Sequence, residues 1–113
     1  MASDLAQKHC EPCSEDTPPL TGDELEPYVD ELGEQWSVED EHHLVGEFSF
    51  DDFQEALDFT NRVGALAEKE GHHPEICLTW GEATVRIWTH SIDGLSENDF
   101  ILAAKIDASE GEA

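Results

Sequence analysis

The imbalance of charge constrains this chain more than any other feature. Acidic side chains number 28 against 5 basic ones in 113 residues, which gives a formal net charge of −23. Because like charges repel one another in a compact state, most of these carboxylates have to lie on the surface around one small core. The length fits a single domain. Nucleic acids and anionic membranes are excluded as partners, since most of such a surface would repel them.

The acidic residues are spread along the whole chain, with 14 in positions 1–50 and 14 in positions 51–113. Lysine occurs at Lys8, Lys69 and Lys105 alone. This even coating is typical of a halophilic protein that works in concentrated salt, where screening shortens the range of repulsion. The alternative is an acidic protein of ordinary ionic strength. No apolar run approaches the roughly 20 residues of a membrane helix, and no secretory signal pattern is present, so we expect a cytoplasmic protein.

The cysteines do not form a pattern with a clear role. Cys10 and Cys13 form a C-x-x-C beside His9, and Cys77 falls in a predicted strand. A zinc site needs further ligands from a second cluster, and the chain has no second C-x-x-C. We therefore expect no metal site. The pair is interpreted as thiols without a role or as an occasional metal clip.

Three helices are predicted from apolar residues at helical spacing. Residues 1–20 are polar and form an N-terminal arm, residues 21–108 form the domain, and residues 109–113 form a polar tail. Thr21 and Glu24 have the spacing of a capping box for a helix that ends near Gly33, although Pro27 argues against regular first turns. A longer helix runs from a cap at Asp51 to a stop at Gly71, and a last helix follows a cap at Ser96.

Four strands are predicted from alternating apolar residues. Residues 36–38 and 44–50 form one hairpin, and Ile76, Leu78 and Trp80 alternate towards a turn. In the last strand Ala83, Val85 and Ile87 share one face, while Trp88 and His90 lie on the other. The order α-β-β-α-β-β-α predicts an α+β fold, with a four-stranded antiparallel sheet and helices packed on one face.

Three histidines stand at the ends of these elements: His72 and His73 after the long helix, and His90 after the last strand. Imidazole ordinarily titrates near neutral pH, which suits proton transfer in both directions. The alternative is that these histidines only favour a helix end or fill the surface. A metal site is less favoured, because adjacent side chains diverge and no i, i+4 pair of ligands is present. His42 and His43 lie in an acidic turn and are predicted to be solvated.

These residues carry a resemblance to a known family. The segment from Glu68 through His72-His73-Pro74 to Glu75 is similar to the signature of the pterin-4a-carbinolamine dehydratases. The matching positions continue at Trp80, at Thr89-His90, and at Gly94-Leu95-Ser96 with Asp99. The resemblance extends upstream through Phe48, Phe50, Phe53, Ala56, Phe59 and Arg62-Val63 and covers about residues 36–107.

The resemblance implies an enzyme that dehydrates 4a-hydroxytetrahydropterin to quinonoid dihydropterin and water, without a metal or redox cofactor. It implies that His72 and His90 are the catalytic acid/base pair and that His73 holds the pterin. Glu68, one helical turn before His72 in an i, i+4 relation, would orient or charge-stabilise an imidazole. Pro74 would fix the exit of the chain from the helix. Trp80 is expected either to line the pterin pocket or, as we favour, to lie in the core. Asp99 is expected to cap the last helix.

Two alternatives keep the same fold. The chain could be a non-catalytic module that binds a pterin or another protein, or a dehydratase of another reduced pterin. The family resemblance also implies a homodimer or homotetramer, which we expect to assemble through an exposed sheet edge. Vertebrate members of the family have an acidic and a basic residue where this chain has Gly71 and Asn98. No ligand contact is therefore assigned to these two positions.

Overall fold

The computed structural model describes residues 7–8, 10 and 18–111, and these residues form an α+β fold. The elements follow in the order α1 (Glu26–Val29), β1 (Trp36–Glu39), β2 (His43–Ser49), α2 (Phe53–Glu70), β3 (Glu75–Thr79), β4 (Glu82–Ile87) and α3 (Glu97–Gly111). Short 3₁₀ turns precede α1 at Gly22–Glu24 and follow β4 at His90–Ile92. The predicted fold class and element order are confirmed.

The four strands form one antiparallel sheet in the order β1-β2-β4-β3. Leu44 lies opposite Ile87, and Val85 lies between Gly46 on one side and Ile76 on the other. This register brings the alternating apolar residues of the strands onto one face, where they form a single core with apolar side chains of α2 and α3. Strands β1 and β3 are the two edges of the sheet.

Gly46 in β2 leaves space for the large ring of Trp36 in the neighbouring strand β1. It lies opposite Trp36, and a Cβ atom placed on it would come within 2.7 Å of the Trp36 ring and 2.9 Å of the Phe48 ring. The indole Nε1–H of Trp36 donates a hydrogen bond to Asp107 Oδ1 at 2.7 Å. The buried indole therefore joins β1 to α3, and it fits because residue 46 has no side chain.

Helix α2 begins one residue later than predicted and ends where predicted. Asp52, not Asp51, is the N-cap, and its Oδ1 accepts the backbone N–H of Glu55 at 2.8 Å. The buried face consists of Ala56, Phe59, Val63 and Ala67, whereas Phe53, placed on this face by periodicity, is 43% exposed. Gly71 ends the helix in the left-handed conformation with φ of 65°.

The first predicted helix is much shorter than expected. The predicted capping box between Thr21 and Glu24 is present, and the Thr21 N–H donates to Glu24 Oε1 at 3.4 Å. The turn that it starts is a 3₁₀ turn, and the four-residue α1 follows with Pro27 in its first turn. Proline lacks the N–H that a regular helix would need there. Tyr28 of α1 stacks on Phe100 of α3, with ring centroids 5.0 Å apart.

Helix α3 is buried on several sides. The five consecutive residues from Phe100 to Ala104 are all buried, so this helix does not show a single apolar stripe. It continues to Gly111, into the segment 109–113 that the sequence sets apart as a tail. Within the described part of the chain, no helix is long and apolar enough to cross a bilayer.

Candidate active site

The three predicted histidines meet at one cleft of about 480 Å³. It lies between the C-terminal end of α2, the segment after β4 and the first turn of α3. We call it the histidine cleft, and the described residues that line it are Cys10, Glu70, Gly71, His72, His73, Trp88, Thr89, His90, Ser91 and Asn98.

The left-handed Gly71 determines where His72 and His73 lie. The N–H of Gly71 and the N–H of His72 both donate to the carbonyl of Ala67, so the chain turns back across the end of α2. Pro74 follows at once and prevents the helix from continuing. The two histidines therefore lie beside the last turn of α2 and before the edge strand β3.

A buried carboxylate holds His72. The Nε2 atom of His72 lies 2.5 Å from Oδ1 of Asp99, which is fully buried, and the His72 side chain is 13% exposed. The second oxygen, Oδ2, accepts the hydroxyl of Thr89 at 2.9 Å and the backbone N–H of Ser96 at 2.8 Å. A carboxylate only accepts hydrogen bonds, so Nε2 of His72 carries the proton that it donates to Asp99. The other ring nitrogen, Nδ1, is then available to exchange a proton with a substrate. The ring is thereby fixed in orientation and in tautomer.

Asp99 thus has a second role that the local sequence does not reveal. Its contact with the N–H of Ser96 is the predicted capping contact at the start of α3. Its contact with His72 connects residues 27 positions apart. Local spacing gives no signal for such a contact. In the sequence, only the match of Asp99 to the family signature singles this residue out.

Glu68 contacts a different histidine from the one expected. The i, i+4 spacing directs Glu68 towards His72, but its Oε2 lies 2.6 Å from Nε2 of His73. The spacing rule fails because the helix ends at Gly71, so His72 no longer lies on the face above Glu68. Both partners are largely exposed, with side-chain exposures of 61% for His73 and 78% for Glu68, so solvent screens this pair.

His90 is presented on an aromatic support. It begins the 3₁₀ turn after β4 and is exposed. A pair of hydrogen bonds between Thr89 and Gly94 closes this turn. The ring of His90 packs on Trp88, with centroids 4.6 Å apart and planes inclined by 32°. Trp88 was not predicted as a site residue, although its shared strand face with His90 was a usable signal.

The other histidine pair is not solvated as predicted. The side chains of His42 and His43 are 33% and 18% exposed, and both rings pack against Trp88, at 5.6 and 6.0 Å. His42 Nε2 also contacts Asp93 Oδ1 at 2.8 Å. The turn folds back over the indole, a tertiary contact that the acidic sequence around it does not indicate.

Trp80 lies neither in the core nor among the described residues of the histidine cleft. Its side chain is 71% exposed, because β3 ends at Thr79 and Trp80 occupies the turn beside Gly81, which has φ of 77°. The core assignment of Trp80 was therefore wrong. Pro74 is also absent from the described cleft lining, and it immediately precedes β3.

The arrangement is suited to proton transfer. One imidazole is partly buried and held by a carboxylate, and another is exposed on an aromatic ring, so the cleft offers two differently held imidazoles. An imidazole can both donate and accept a proton, so two of them can serve as an acid and a base. The described residues contain no group of three or more histidine, cysteine, aspartate or glutamate side chains placed to hold a metal ion. His9 and Cys13 lie outside these residues.

A family model and several known proteins match most of this chain. A family model described as pterin 4 alpha carbinolamine dehydratase matches residues 18–109. A protein of Alkaliphilus metalliredigens with this provisional name is 53% identical, over 97% of this chain and 99% of its own length. One of Rubrobacter xylanophilus is 55% identical, over 93% and 97%.

Solved structures show the same fold. The transcriptional coactivator/pterin dehydratase of Brucella melitensis is 32% identical with a TM-score of 0.73, over 80% of this chain and 96% of that one. A pterin dehydratase-like protein, described as a RuBisCO assembly factor in the alpha-carboxysome, is 23% identical with a TM-score of 0.58, over 68% and 90%. The second likeness concerns the fold alone. With the family model matching most of its length, the chain belongs to the pterin-4-alpha-carbinolamine dehydratase family.

Proposed function

We propose that this protein catalyses the dehydration of 4a-hydroxytetrahydropterin to quinonoid dihydropterin and water. The observation that carries the proposal is the meeting of His72, His73 and His90 in one cleft, with His72 held by the buried Asp99. Family membership supplies the class of substrate. The geometry supplies side chains suited to the proton transfers that the reaction requires.

The reaction consists of two proton transfers around the loss of one hydroxyl. A proton goes to the 4a-hydroxyl, which leaves as water, and another is removed from a pterin ring nitrogen. The ring electrons then form the new double bond, and no electrons are gained or lost overall. One acid and one base are therefore sufficient.

In this proposal His72 and His90 are the acid/base pair. Asp99 fixes the ring of His72 and stabilises its charged form when it carries a second proton. One face of the His90 ring packs on Trp88, and its other face is left for the substrate. His73 contacts the pterin at the exposed rim, where Glu68 limits its rotation.

The test is the rate of 4a-hydroxytetrahydropterin dehydration, followed by absorbance against the uncatalysed rate with the protein in concentrated KCl. We expect His72→Ala and His90→Ala each to lower kcat by about 10²-fold or more, and His73→Ala mainly to raise KM. Trp80→Ala is the matched control, because this exposed side chain lies outside the described lining of the cleft, and we expect wild-type kinetics.

Absence of acceleration by folded wild-type protein would refute the proposed reaction. Binding of a reduced pterin without turnover would then favour the non-catalytic module. Turnover of a different reduced pterin alone would keep the enzyme class and change the substrate.

A further inference from the structure

One buried charge in the histidine cleft has no part in the proposed proton transfers. Glu70, the last residue of α2, lines the cleft, yet its side chain is only 2% exposed. Its Oε2 lies 3.9 Å from Nζ of Lys105 on α3, whose side chain is 12% exposed. Burying a carboxylate is costly unless other groups compensate it, so its other contacts indicate what it does.

The second oxygen of Glu70 holds a distant part of the chain. Its Oε1 accepts the backbone N–H of Cys10 at 2.8 Å, across 60 positions of sequence. Hydrogen bonds to an ionised group are the stronger class, and burial strengthens them further. Cys10 Sγ also contacts the backbone carbonyl of Asn98 at 3.5 Å. These contacts place Cys10 at the cleft, where it lies among the lining residues.

Two other described residues near the N-terminus, Lys8 and Leu20, contact the region where α3 starts. Lys8 Nζ lies 3.1 Å from Glu97 Oε2, an exposed pair that contributes little by itself. Further along, the Leu20 N–H donates to the carbonyl of Leu95 at 2.8 Å. Of these contacts, the one between Glu70 and Cys10 involves a buried side chain. Glu70 is also only two residues from His72 in sequence.

We propose that Cys10 forms a wall of the substrate pocket and that Glu70 is the positioning residue that holds it there. The proposal rests on the proposed function, because it takes the histidine cleft as the pterin site. A thiol is small and polarisable and packs well against an aromatic ring such as a pterin. Glu70 acts through Cys10 and does not touch the reacting atoms, so it governs substrate binding and not proton transfer.

Kinetics of Glu70 variants test the positioning role. Glu70→Ala removes the acceptor for the Cys10 N–H, and we expect KM to rise about fivefold with kcat changed less than about twofold. Glu70→Gln keeps a carbonyl oxygen, and we expect it to restore KM to near the wild-type value. A purely structural role would lower kcat through loss of folded enzyme and leave KM unchanged. That result would overturn the proposal.

Glu70→Ala removes one charge of a buried pair and can therefore fail to fold. A second variant tests the same role without leaving a charge unpaired. Glu70→Leu combined with Lys105→Met removes both charges and keeps an apolar filling, a replacement that proteins often tolerate. This double variant also lacks the acceptor for Cys10. We expect the same rise in KM, and a wild-type KM in this folded variant would contradict the proposal.

Alkylation by iodoacetamide, read by peptide mass spectrometry in the presence of a phosphine reductant, tests the anchoring without turnover. Cys77 on the edge strand β3 is exposed and serves as the internal control. We expect Glu70→Ala to raise the alkylation rate of Cys10 several-fold and leave that of Cys77 unchanged. Equal Cys10 rates in the two proteins would overturn the anchoring. Saturating 7,8-dihydrobiopterin is expected to slow alkylation of Cys10 and not of Cys77.

The two proposals can fail separately. If the wild-type protein dehydrates the pterin but ligand does not protect Cys10 and Glu70→Ala leaves KM unchanged, the proposed function stands and the wall is refuted. If the wild-type protein has no dehydratase activity, the proposed function fails. The effect of Glu70→Ala on Cys10 alkylation then still decides whether Glu70 holds this part of the chain.

Discussion

The carboxylate of Asp99 connects the start of α3 to the histidine cleft. One oxygen accepts the N–H of Ser96 and the hydroxyl of Thr89, and the other contacts His72. The hydroxyl of Ser96 donates to Thr89 when Thr89 donates to Asp99. Both carboxylate oxygens and both hydroxyl groups of this cluster therefore have a partner. A cluster satisfied in this way gives the imidazole a single orientation.

Replacement of this carboxylate tests its part in the proposed reaction. We expect Asp99→Asn to lower kcat by about 10²-fold, because a neutral amide neither stabilises the charged imidazole nor selects the same tautomer. KM should change little, since the cleft keeps its shape. Stopped-flow absorbance with the purified variant measures both parameters.

The matched control for this variant is Ser96→Ala. It removes the hydroxyl contact with Thr89 but keeps the Ser96 N–H and the Asp99 carboxylate. We expect kcat within about threefold of the wild-type value, because the contact between Asp99 and His72 is unaffected. Wild-type kcat in folded Asp99→Asn would show that His72 works without this partner.

At the scale of elements, two glycines differ in the space around them. Replacing each with alanine separates the effect of side-chain packing from that of backbone propensity. Gly46 in β2 faces the Trp36 ring, which a Cβ would approach to 2.7 Å, whereas a Cβ at Gly64 in α2 meets nothing within 4 Å. We expect Gly46→Ala to destabilise the protein by about 1–3 kcal/mol through overpacking. Gly64→Ala should stabilise it by about 0.5–1 kcal/mol, because alanine favours the helix.

Urea denaturation followed by tryptophan fluorescence measures both changes in the free energy of unfolding. The two variants carry the same chemical substitution, so a difference in sign reports the contacts with the Trp36 and Phe48 rings that a methyl group at position 46 would meet. A neutral effect of Gly46→Ala would mean that the hairpin can shift to make room for a methyl group. The Trp36 ring would then not require a glycine at position 46.

Helices and strands with clear hydrophobic periodicity could be predicted from the sequence. Contacts that form only when these elements pack together could not. The end of α2 at Gly71 and the buried face of β4 follow from local chemistry, so both were predicted. The partner of Glu68 was predicted wrongly, because helical spacing does not continue past a left-handed residue. Trp80 was misplaced because alternation continues in the sequence beyond the point where β3 ends.

The histidines of the cleft were found through their sequence pattern, but most of their supports were not. Asp99, Trp88 and Glu70 act on residues far from them in sequence or across the end of an element, and periodicity carries no information about such contacts. Cys10 stands out in the sequence only as part of a C-x-x-C. Its place at the cleft depends on its contacts with Glu70 and Asn98, which no local pattern indicates.

At the scale of the whole molecule, the sheet has an edge strand that could join two copies. Strands β1 and β3 are both edges and carry one acidic residue each, but β1 runs directly into the acidic turn at Asp40 and Glu41. Unpaired edge groups invite pairing with another strand. We therefore expect a homodimer or homotetramer in which two β3 strands pair.

Cys77 makes this arrangement testable. It is the central residue of β3 (Glu75–Thr79), so a two-fold antiparallel pairing centred there places two Cys77 residues opposite each other. Opposed residues lie about 4.5–5.5 Å apart at Cα, within reach of a disulfide. Mild oxidation should give a covalent dimer on a non-reducing gel. Cys77→Ser should lose the cross-link but keep its mass in solution by light scattering, and a monomeric mass for the wild type would contradict edge pairing.

The net charge of −23 predicts that stability depends strongly on salt. Basic residues compensate little of it, and exposed pairs such as Lys8 with Glu97 and Arg86 with Glu75 are weak. Screening shortens the range of repulsion from about 10 Å at 0.1 M salt to about 3 Å at 1 M. We expect the free energy of unfolding in urea, which is uncharged, to rise as KCl increases into the molar range. The proposed dehydratase activity should rise with it.

A charge-reduced variant separates screening from other effects of salt. Glu26→Gln, Asp30→Asn and Glu31→Gln together remove three exposed carboxylates around α1. With less repulsion to relieve, this variant should be more stable than the wild type in dilute buffer and gain less from KCl. If both proteins gain equally, the salt acts through the hydrophobic core and not through surface charge. If the wild type is equally stable and active in dilute buffer and in multimolar KCl, the halophilic interpretation of its composition is wrong.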